Sequence, residues 1–240
     1  MKAFGGAPVI YDLDAFSESQ YQQHALGARG ETGDGRVFRY AQMGEAVSIG
    51  HLTQSPAIDT ATITMAVTTA AAIGAKQIVF THGATTSAAN EYAEGYATIS
   101  YATGVGQTLK VASHLAFTSA QTGCIVKLED PLQVAIDTTS KLDLAHNPWN
   151  GVLMDTSLVT VPTGAALRTF TSAYYGWLQT RGVCGIMSDA TIAAGYAFGF
   201  DASAAGEIDV PANDLQQFVV GNAIQAGAQN YYHQVYLTID

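Results

Sequence analysis

The sequence predicts an all-β protein: two β-sandwich or barrel-like blocks of short strands preceded by an extended N-terminal arm. Three observations predict it. Apolar and polar residues alternate with period two in many short runs. Those runs are rich in Val, Ile, Thr and aromatic residues and are separated by Gly- and Asn-bearing turns, the pattern of sheets with one buried face. No long segment holds the apolar spacing of a helix.

Residues 1–35 read as the arm. Phe4-Gly5-Gly6-Ala7-Pro8 and Gly30-Glu31-Thr32-Gly33-Asp34-Gly35 are turn-rich, and the stretch between them is polar. A helix over Ser17–Leu26, capped by Ser17, is compatible with the pattern, but Gly27 ends it early. A segment this polar buries too little apolar surface to order alone, so it is expected to lie on a partner. From Arg36 the alternation starts. Strands are predicted over 37–41, 62–67, 77–81, 96–101, 108–112 and 124–128. Ala66 to Ala75 is Ala-rich, yet Thr68, Thr69 and Gly74 weaken a helix there. His146-Asn147-Pro148-Trp149-Asn150-Gly151 concentrates turn residues and marks a break. Strands then follow over 158–161, 167–170, 175–180, 183–187, 196–200 and 232–239. The expected division is arm 1–35, first β domain 36–147 and second β domain 148–240. No tight repeat of 20–50 residues is visible, which disfavours a solenoid or propeller.

Composition excludes several functions. The chain has 240 residues, ten basic and twenty acidic, for a net charge of −10; only 12% of residues are charged and 48% are hydrophobic. Wrapping nucleic acid requires clusters of Lys and Arg, which are missing, so no nucleic-acid partner is expected. No solid apolar run is long enough for a transmembrane helix, and the first residues show no secretory signal, so no membrane partner is expected either. Cys124 and Cys184 form neither a disulfide framework nor a zinc pattern and read as reduced core residues.

Local chemistry is sparse. The six histidines, His24, His51, His82, His114, His146 and His233, do not pair at metal-ligand spacing, and no HExxH or C-x-x-C occurs, so no metal and no cofactor are expected. No G-x-S-x-G elbow is present. Gly30–Gly35 lacks the Lys-Ser/Thr of a P-loop, and its Glu31 and Asp34 repel phosphate, so it reads as a turn. Glu129, Asp130, Asp137 and Asp143 are the densest acids, and Pro131 with the alternating pattern makes them strand-end turns. No catalytic residue is assigned, and the chain is expected not to be an enzyme. Tyr174-Tyr175-Gly176-Trp177 and Tyr231-Tyr232-His233-Gln234-Val235-Tyr236 place aromatics on both faces of strands. One face serves a core, and the other meets solvent, a subunit or a ligand.

Four stretches carry a resemblance: Gly33–Ala41 (GDGRVFRYA), Asn147–Val152 (NPWNGV), Leu128–Ala135 (LEDPLQVA) and Tyr175–Gly182 (YGWLQTRG). From about residue 27 to residue 240 the chain resembles a family of tailed-bacteriophage virion proteins, the capsid decoration (cement) proteins encoded near the major capsid protein. The resemblance implies an all-β protein on the outer surface of the head, assembled in the host cytoplasm, binding the major capsid protein as a homotrimer and stabilising contacts between capsomers. It supplies no enzymatic residues. Under this reading the capsid or subunit contacts are expected at Arg29, Arg36 and Arg39 at the arm's root and at Tyr21, Tyr175, Trp177 and Trp149. The alternative is a receptor- or glycan-binding module of a head fibre or tail, in which exposed Tyr and Trp stack on sugars.

Overall fold

The computed structural model describes residues 10, 13–154, 160–201, 203–210 and 219–240. The fold is all-β. Its strands are β1 (Glu18–Ser19), β2 (Arg29–Glu31), β3 (Val37–Gln42), β4 (Leu52–Gln54), β5 (Met65–Thr69), β6 (Gln77–Phe80), β7 (Tyr96–Tyr101), β8 (Thr108–His114), β9 (Cys124–Leu128), β10 (Lys141–Ala145), β11 (Pro162–Ala166), β12 (Tyr175–Ser188), β13 (Ala197–Phe200), β14 (Ile208–Asp209), β15 (Gly221–Ala223) and β16 (Tyr231–Thr238). Among the described residues the one helical turn is the 3₁₀ segment Thr60–Thr62, capped by Asp59. The helix compatible with Ser17–Leu26 does not form.

The chain divides into two compact units. One is Ile58–Asn147; the other combines the described residues up to Ala57 with those from Pro148 onward. The predicted break at 147/148 coincides with one boundary. The other falls after Ala57 rather than at residue 36, because β3 pairs with β12 and β4 with β11. The first strands after the arm are therefore built into the unit that the chain's second half completes.

The Ile58–Asn147 unit is a closed antiparallel barrel in the order β10-β5-β6-β9-β8-β7. Closure removes every edge and gives the strands an inside and an outside: β9 buries Cys124, Val126 and Leu128 and exposes Ile125 and Lys127. The interior is filled by Ile78, Phe80, Ile99, Val111, Leu142, Leu144 and the fully buried ring of Tyr92.

The other unit is organised by β12. Its first half pairs with β3 and its second half with β16; the register shifts between Gln179 and Arg181, and Gly182 follows at φ +92°. A Cβ at Gly182 would lie 2.9 Å from Arg36 Cγ. Bulge and glycine together let one strand bend from one sheet region into another. The two strands predicted over 175–180 and 183–187 are thus one element. Beyond the bend, β12, β16, β15, β13 and β14 form a ring that the parallel contact Ser188↔Ile208 closes. Its interior holds Cys184, Ile186, Phe198, Phe200, Val235 and Leu237. The strand predicted over 167–170 is instead the entry to a turn, displaced by β11 at 162–166; the strand predicted over 158–161 falls partly outside the described residues.

The described part of the arm does not stand away from the protein. β1 pairs with β12 and β2 with β3. Leu13, Ala15 and Ala28 pack on Phe38, Tyr40 and Trp177. Glu18 accepts from Arg168 Nη2 at 3.0 Å and from the Thr171 N–H at 2.9 Å. These few apolar residues suffice because the sheet beneath offers them a buried aromatic floor. Over these residues the partner on which the arm was expected to order is the chain's own sheet.

One device recurs in both units. Four residue pairs, Val47 with Phe170, Ala71 with Ile136, Ser87 with Phe117 and Ile192 with Gly227, form isolated antiparallel bridges. Each pair exchanges two N–H···O bonds of 2.8–3.2 Å. Three positions after seven of these eight residues stands one with positive φ: Gly50, Gly74, Asn90, Ala120, Ala173, Gly195 or Asn230. Its N–H is donated across the pair, as from Gly50 to the Ala166 carbonyl and from Ala173 to that of Met43. Each arch leads into a strand. The left-handed turn lets the backbone reverse while every polar group at the reversal stays bonded.

Phe170 sits in one arch, fully buried, with its ring edge 2.2 Å from where a Cβ on Gly176 would lie. Phe170→Ala is expected to cost about 3–5 kcal/mol in urea unfolding, as for other buried Phe truncations. At Ala173 the left-handed backbone already penalises Ala by ~1–2 kcal/mol, against ~0.5–1 for the greater freedom of unfolded Gly. Ala173→Gly is therefore expected to leave stability unchanged or raised, whereas a loss at that position would contradict the arch geometry.

Candidate interaction surfaces

The residues singled out from the sequence occupy three environments. Trp177 is 4% exposed and Tyr175 half-buried; both belong to an aromatic group with Tyr40 and His24. Tyr40 and Tyr175 stack at 6.1 Å, and Trp177 meets Tyr40 edge-on at 5.2 Å and His24 at 5.2 Å. A cleft of about 120 Å³ opens beside this group. The first half of β12 is covered on one side by the arm and on the other by Phe170, Val47 and Met43, so Trp177 serves a core and Tyr175 lies half-buried beside it. Trp149 is half-buried, and its indole N–H donates to the Thr163 carbonyl at 3.3 Å.

The arginines are engaged within the chain. Arg29 pairs with Glu31 at 3.1 Å and Arg36 with Asp34 at 2.8 Å. Arg39 forks onto Asp240 at 2.6 and 2.9 Å, donates to the Gly27 carbonyl and lies over the Trp149 ring. Burial pushes the Asp240 carboxyl up, but Arg39 and the Thr180 hydroxyl more than offset it and hold it below the ordinary carboxylate value. These cations tie the arm's root and the last residues to the sheet. Tyr21 alone of the seven is strongly exposed, at 73%.

One exposed apolar surface lies beyond the β12 bend. Val183, Gly185 and Met187 on β12 stand opposite Tyr236, Gln234 and Tyr232 on β16. Their neighbours Cys184, Ile186, Val235 and Leu237 point into the ring. Ile224 extends this outer face from the end of β15. The face holds no carboxylate between Arg181 and Asp189, in a chain of charge −10. The sequence marked the 231–236 run as two-faced; Val183 and Met187 escaped notice because short apolar strands look alike whether one face or both are covered.

The barrel unit carries a second apolar surface. Leu115, 81% exposed, and Ile125 flank a cleft of about 510 Å³ with Phe117 and His114 in its wall and Gln121 and Lys127 at its rim. This volume is within the range of small-ligand and side-chain pockets.

Behind that cleft lies a buried histidine group. His82 Nε2 is 3.1 Å from the Ser87 hydroxyl, and its Nδ1 faces no partner. His114 Nε2 accepts the Tyr92 N–H at 2.9 Å while Nδ1 lies 2.7 Å from the Leu115 carbonyl, which makes it the Nδ1–H tautomer. His146 packs on Tyr92 with centroids 4.7 Å apart and lies 3.7 Å from Glu91. Asp59 spends its oxygens on the Ala61 N–H and the Thr85 hydroxyl. Ser87 itself is a buried arch residue. The group therefore has a hydroxyl–imidazole contact without an oriented carboxylate behind it.

The four acids have separate hydrogen-bond or ion-pair settings or face solvent. Glu129 pairs with Lys110 at 3.7 Å, Asp137 accepts from Thr139 and Thr103, and Asp143 accepts from the Thr64 N–H and the Ser100 hydroxyl. Asp130 is exposed in a bend after β9. Gly30–Gly35 covers the end of β2 and the β2–β3 turn, with the Gly35 N–H donating to the Thr32 carbonyl. Cys184 is buried and its thiol is pushed up to about 12 by burial. Among the described residues, no group of three or more His, Cys, Asp and Glu is placed to hold a metal ion.

Comparison with protein-family models, with curated proteins and with solved structures gives no match for this chain.

Burial lowers the imidazole pKa of His82, His114 and His146 below 6.5, against the upward pull of Glu91 on all three and of Asp59 on His82 and His146. The unfolded chain then takes up protons before the folded one. Stability from these groups is complete above the unfolded value and falls as pH drops through it. The urea midpoint of the barrel unit is expected to decline between about pH 7.5 and 5.5, with a shallower decline in His146→Gln. A midpoint that is flat or rises across that window contradicts the assignment.

Proposed function

We propose that the chain is a structural protein of a bacteriophage virion, a decoration protein that binds the major capsid protein on the outside of the head and holds capsomers together. The observation that carries this reading is that each of the two units has its own exposed apolar surface: the outer face of β12 and β16 in one, the Leu115–Ile125 rim in the other. A clamp needs at least two contacts, and large exposed apolar surface on an acidic protein is the mark of a protein interface. The family resemblance of the four sequence stretches supports the same reading and carries the expectation of trimers at local threefold sites.

The physical role follows from binding free energy. A filled head fails where capsomers separate, and a protein bound across that seam opposes separation by its affinity for the joined state. The acidic remainder of the surface keeps decorated particles apart in solution. A second reading, a glycan-binding module of a fibre or tail, draws on Tyr232 and Tyr236, which flank Gln234 on β16, because rings and amides suit neutral sugars.

Cosedimentation of the purified protein with undecorated heads tests the first reading. Saturable binding in hundreds of copies per head is expected, and Leu115→Asp is expected to weaken it about tenfold or more while leaving the thermal transition in place. Binding of only a few copies per particle favours the fibre or tail reading. Failure to bind heads at all contradicts both the capsid role and the part assigned to the rim.

A further inference from the structure

The outer face of β12 and β16 has a feature that folding of the single chain does not require. Gly185 stands in the middle of the exposed row, and its φ lies outside the positive region that favours glycine. A Cβ placed on it meets nothing within 4 Å. Glycine inside a strand weakens it, and where no bulge or turn demands it, it marks close approach by another backbone or molecule. Within the chain, Gly50 comes close to the Gly185 carbonyl and Tyr232 rests on Gly50 and Ile49, but the position of a Gly185 Cβ stays open.

The row around this glycine is patterned symmetrically in chemistry. Along β12 and just past its end it reads Arg181, Val183, Gly185, Met187, Asp189, a cation and an anion about 26 Å apart at ~3.3 Å per residue. Beside it on β16, Tyr236 stands level with Val183, Gln234 with Gly185 and Tyr232 with Met187. Arg181 is exposed. The Asp189 carboxylate accepts from Gln229 and Ser203 at 3.3 and 3.2 Å, and its remaining lone pairs can take an ionic donor.

We infer that this face pairs with the same face of a second copy of the chain, about a two-fold axis that runs between the two sheets, across the strands, at Gly185. That operation sets Gly185 over Gly185, Val183 over Met187, Tyr232 over Tyr236, and Arg181 over Asp189 of the second copy at both ends. Two sheets then pack face to face about 10 Å apart, with strands aligned as in a sandwich. The pairing is isologous, so one patch complements itself. The ion pairs at its ends fix the register and disfavour the sliding that an uncharged face would allow. The net charge of −10 opposes association elsewhere, and the stretch of this face between its terminal charges is free of acids. This pairing does not rest on the capsid reading, and a two-fold contact is distinct from any contact that closes a trimer.

Sedimentation velocity over a range of concentrations, with circular dichroism to follow folding, tests it on the full chain. The wild type is expected to shift from monomer to dimer as concentration rises. Arg181→Asp and Asp189→Arg are each expected to weaken the dimer about tenfold or more, and the double swap to restore it. Gly185→Leu fits the single chain, so it is expected to keep its thermal transition and lose the dimer. A wild type that stays monomeric, a dimer indifferent to Gly185→Leu, a double swap that fails to rescue, or a trimer insensitive to all four variants overturns the pairing; so does monomer that binds neutral oligosaccharide through these tyrosines. Head binding without dimer removes this inference and keeps the capsid reading, and dimer without head binding does the reverse.

Discussion

One strand constrains most of the larger unit. β12 is hydrogen-bonded to β1, β3, β11, β14 and β16, and no other element is shared by so many. It fits so many neighbours because it changes environment along its length. Before the bulge near Arg181 both of its faces are covered, by the arm and by the Phe170 arch. After it one face fills a ring and the other is largely exposed. The bend at Gly182 therefore separates a structural half from a half whose outer face still lacks a partner.

The paired arches make the second constraint. A barrel of short strands has many chain reversals, and every reversal threatens to leave backbone groups unbonded. Reciprocal bridges, followed at three residues by a left-handed turn, solve this the same way in both units. The solution tolerates Val, Ala, Ser, Phe, Ile or Gly at the bridge, because the interaction is between backbones. It also explains how a chain with few charges and no disulfide holds sixteen described strands in register.

Much of this was legible in the sequence where burial is one-sided. Gln77–Phe80, Tyr96–Tyr101 and Cys124–Leu128 alternate cleanly because a closed barrel has an inside and an outside, and they were placed within a residue. β2, β4, β14 and β15 span two or three residues each, too few for any period to show. The arches were invisible because their signature is a spacing between unlike residues, not a composition. Arg181-Gly182 read as a break between strands because glycine after a polar residue signals a turn, whereas here it permits a bend. Among site residues, Trp177 is expected at a contact because aromatic pairs suggest interfaces, yet a polar arm buries it with Leu13, Ala15 and Ala28, while Tyr175 stays half-buried. The arginines at the arm's root are expected at capsid or subunit contacts; Glu31 and Asp34 stand two residues from Arg29 and Arg36 in the sequence, whereas Asp240 reaches Arg39 only through sheet geometry.

The proposed role turns on what covers the exposed half of β12 in the assembled particle. A reconstruction of intact virions to side-chain resolution answers this most directly. The account predicts this chain in many copies on the outside of the head, with the Val183–Met187 and Tyr232–Tyr236 rows buried against another protein subunit. The chain missing from mature particles, or present with those rows open to solvent on every copy, would contradict it.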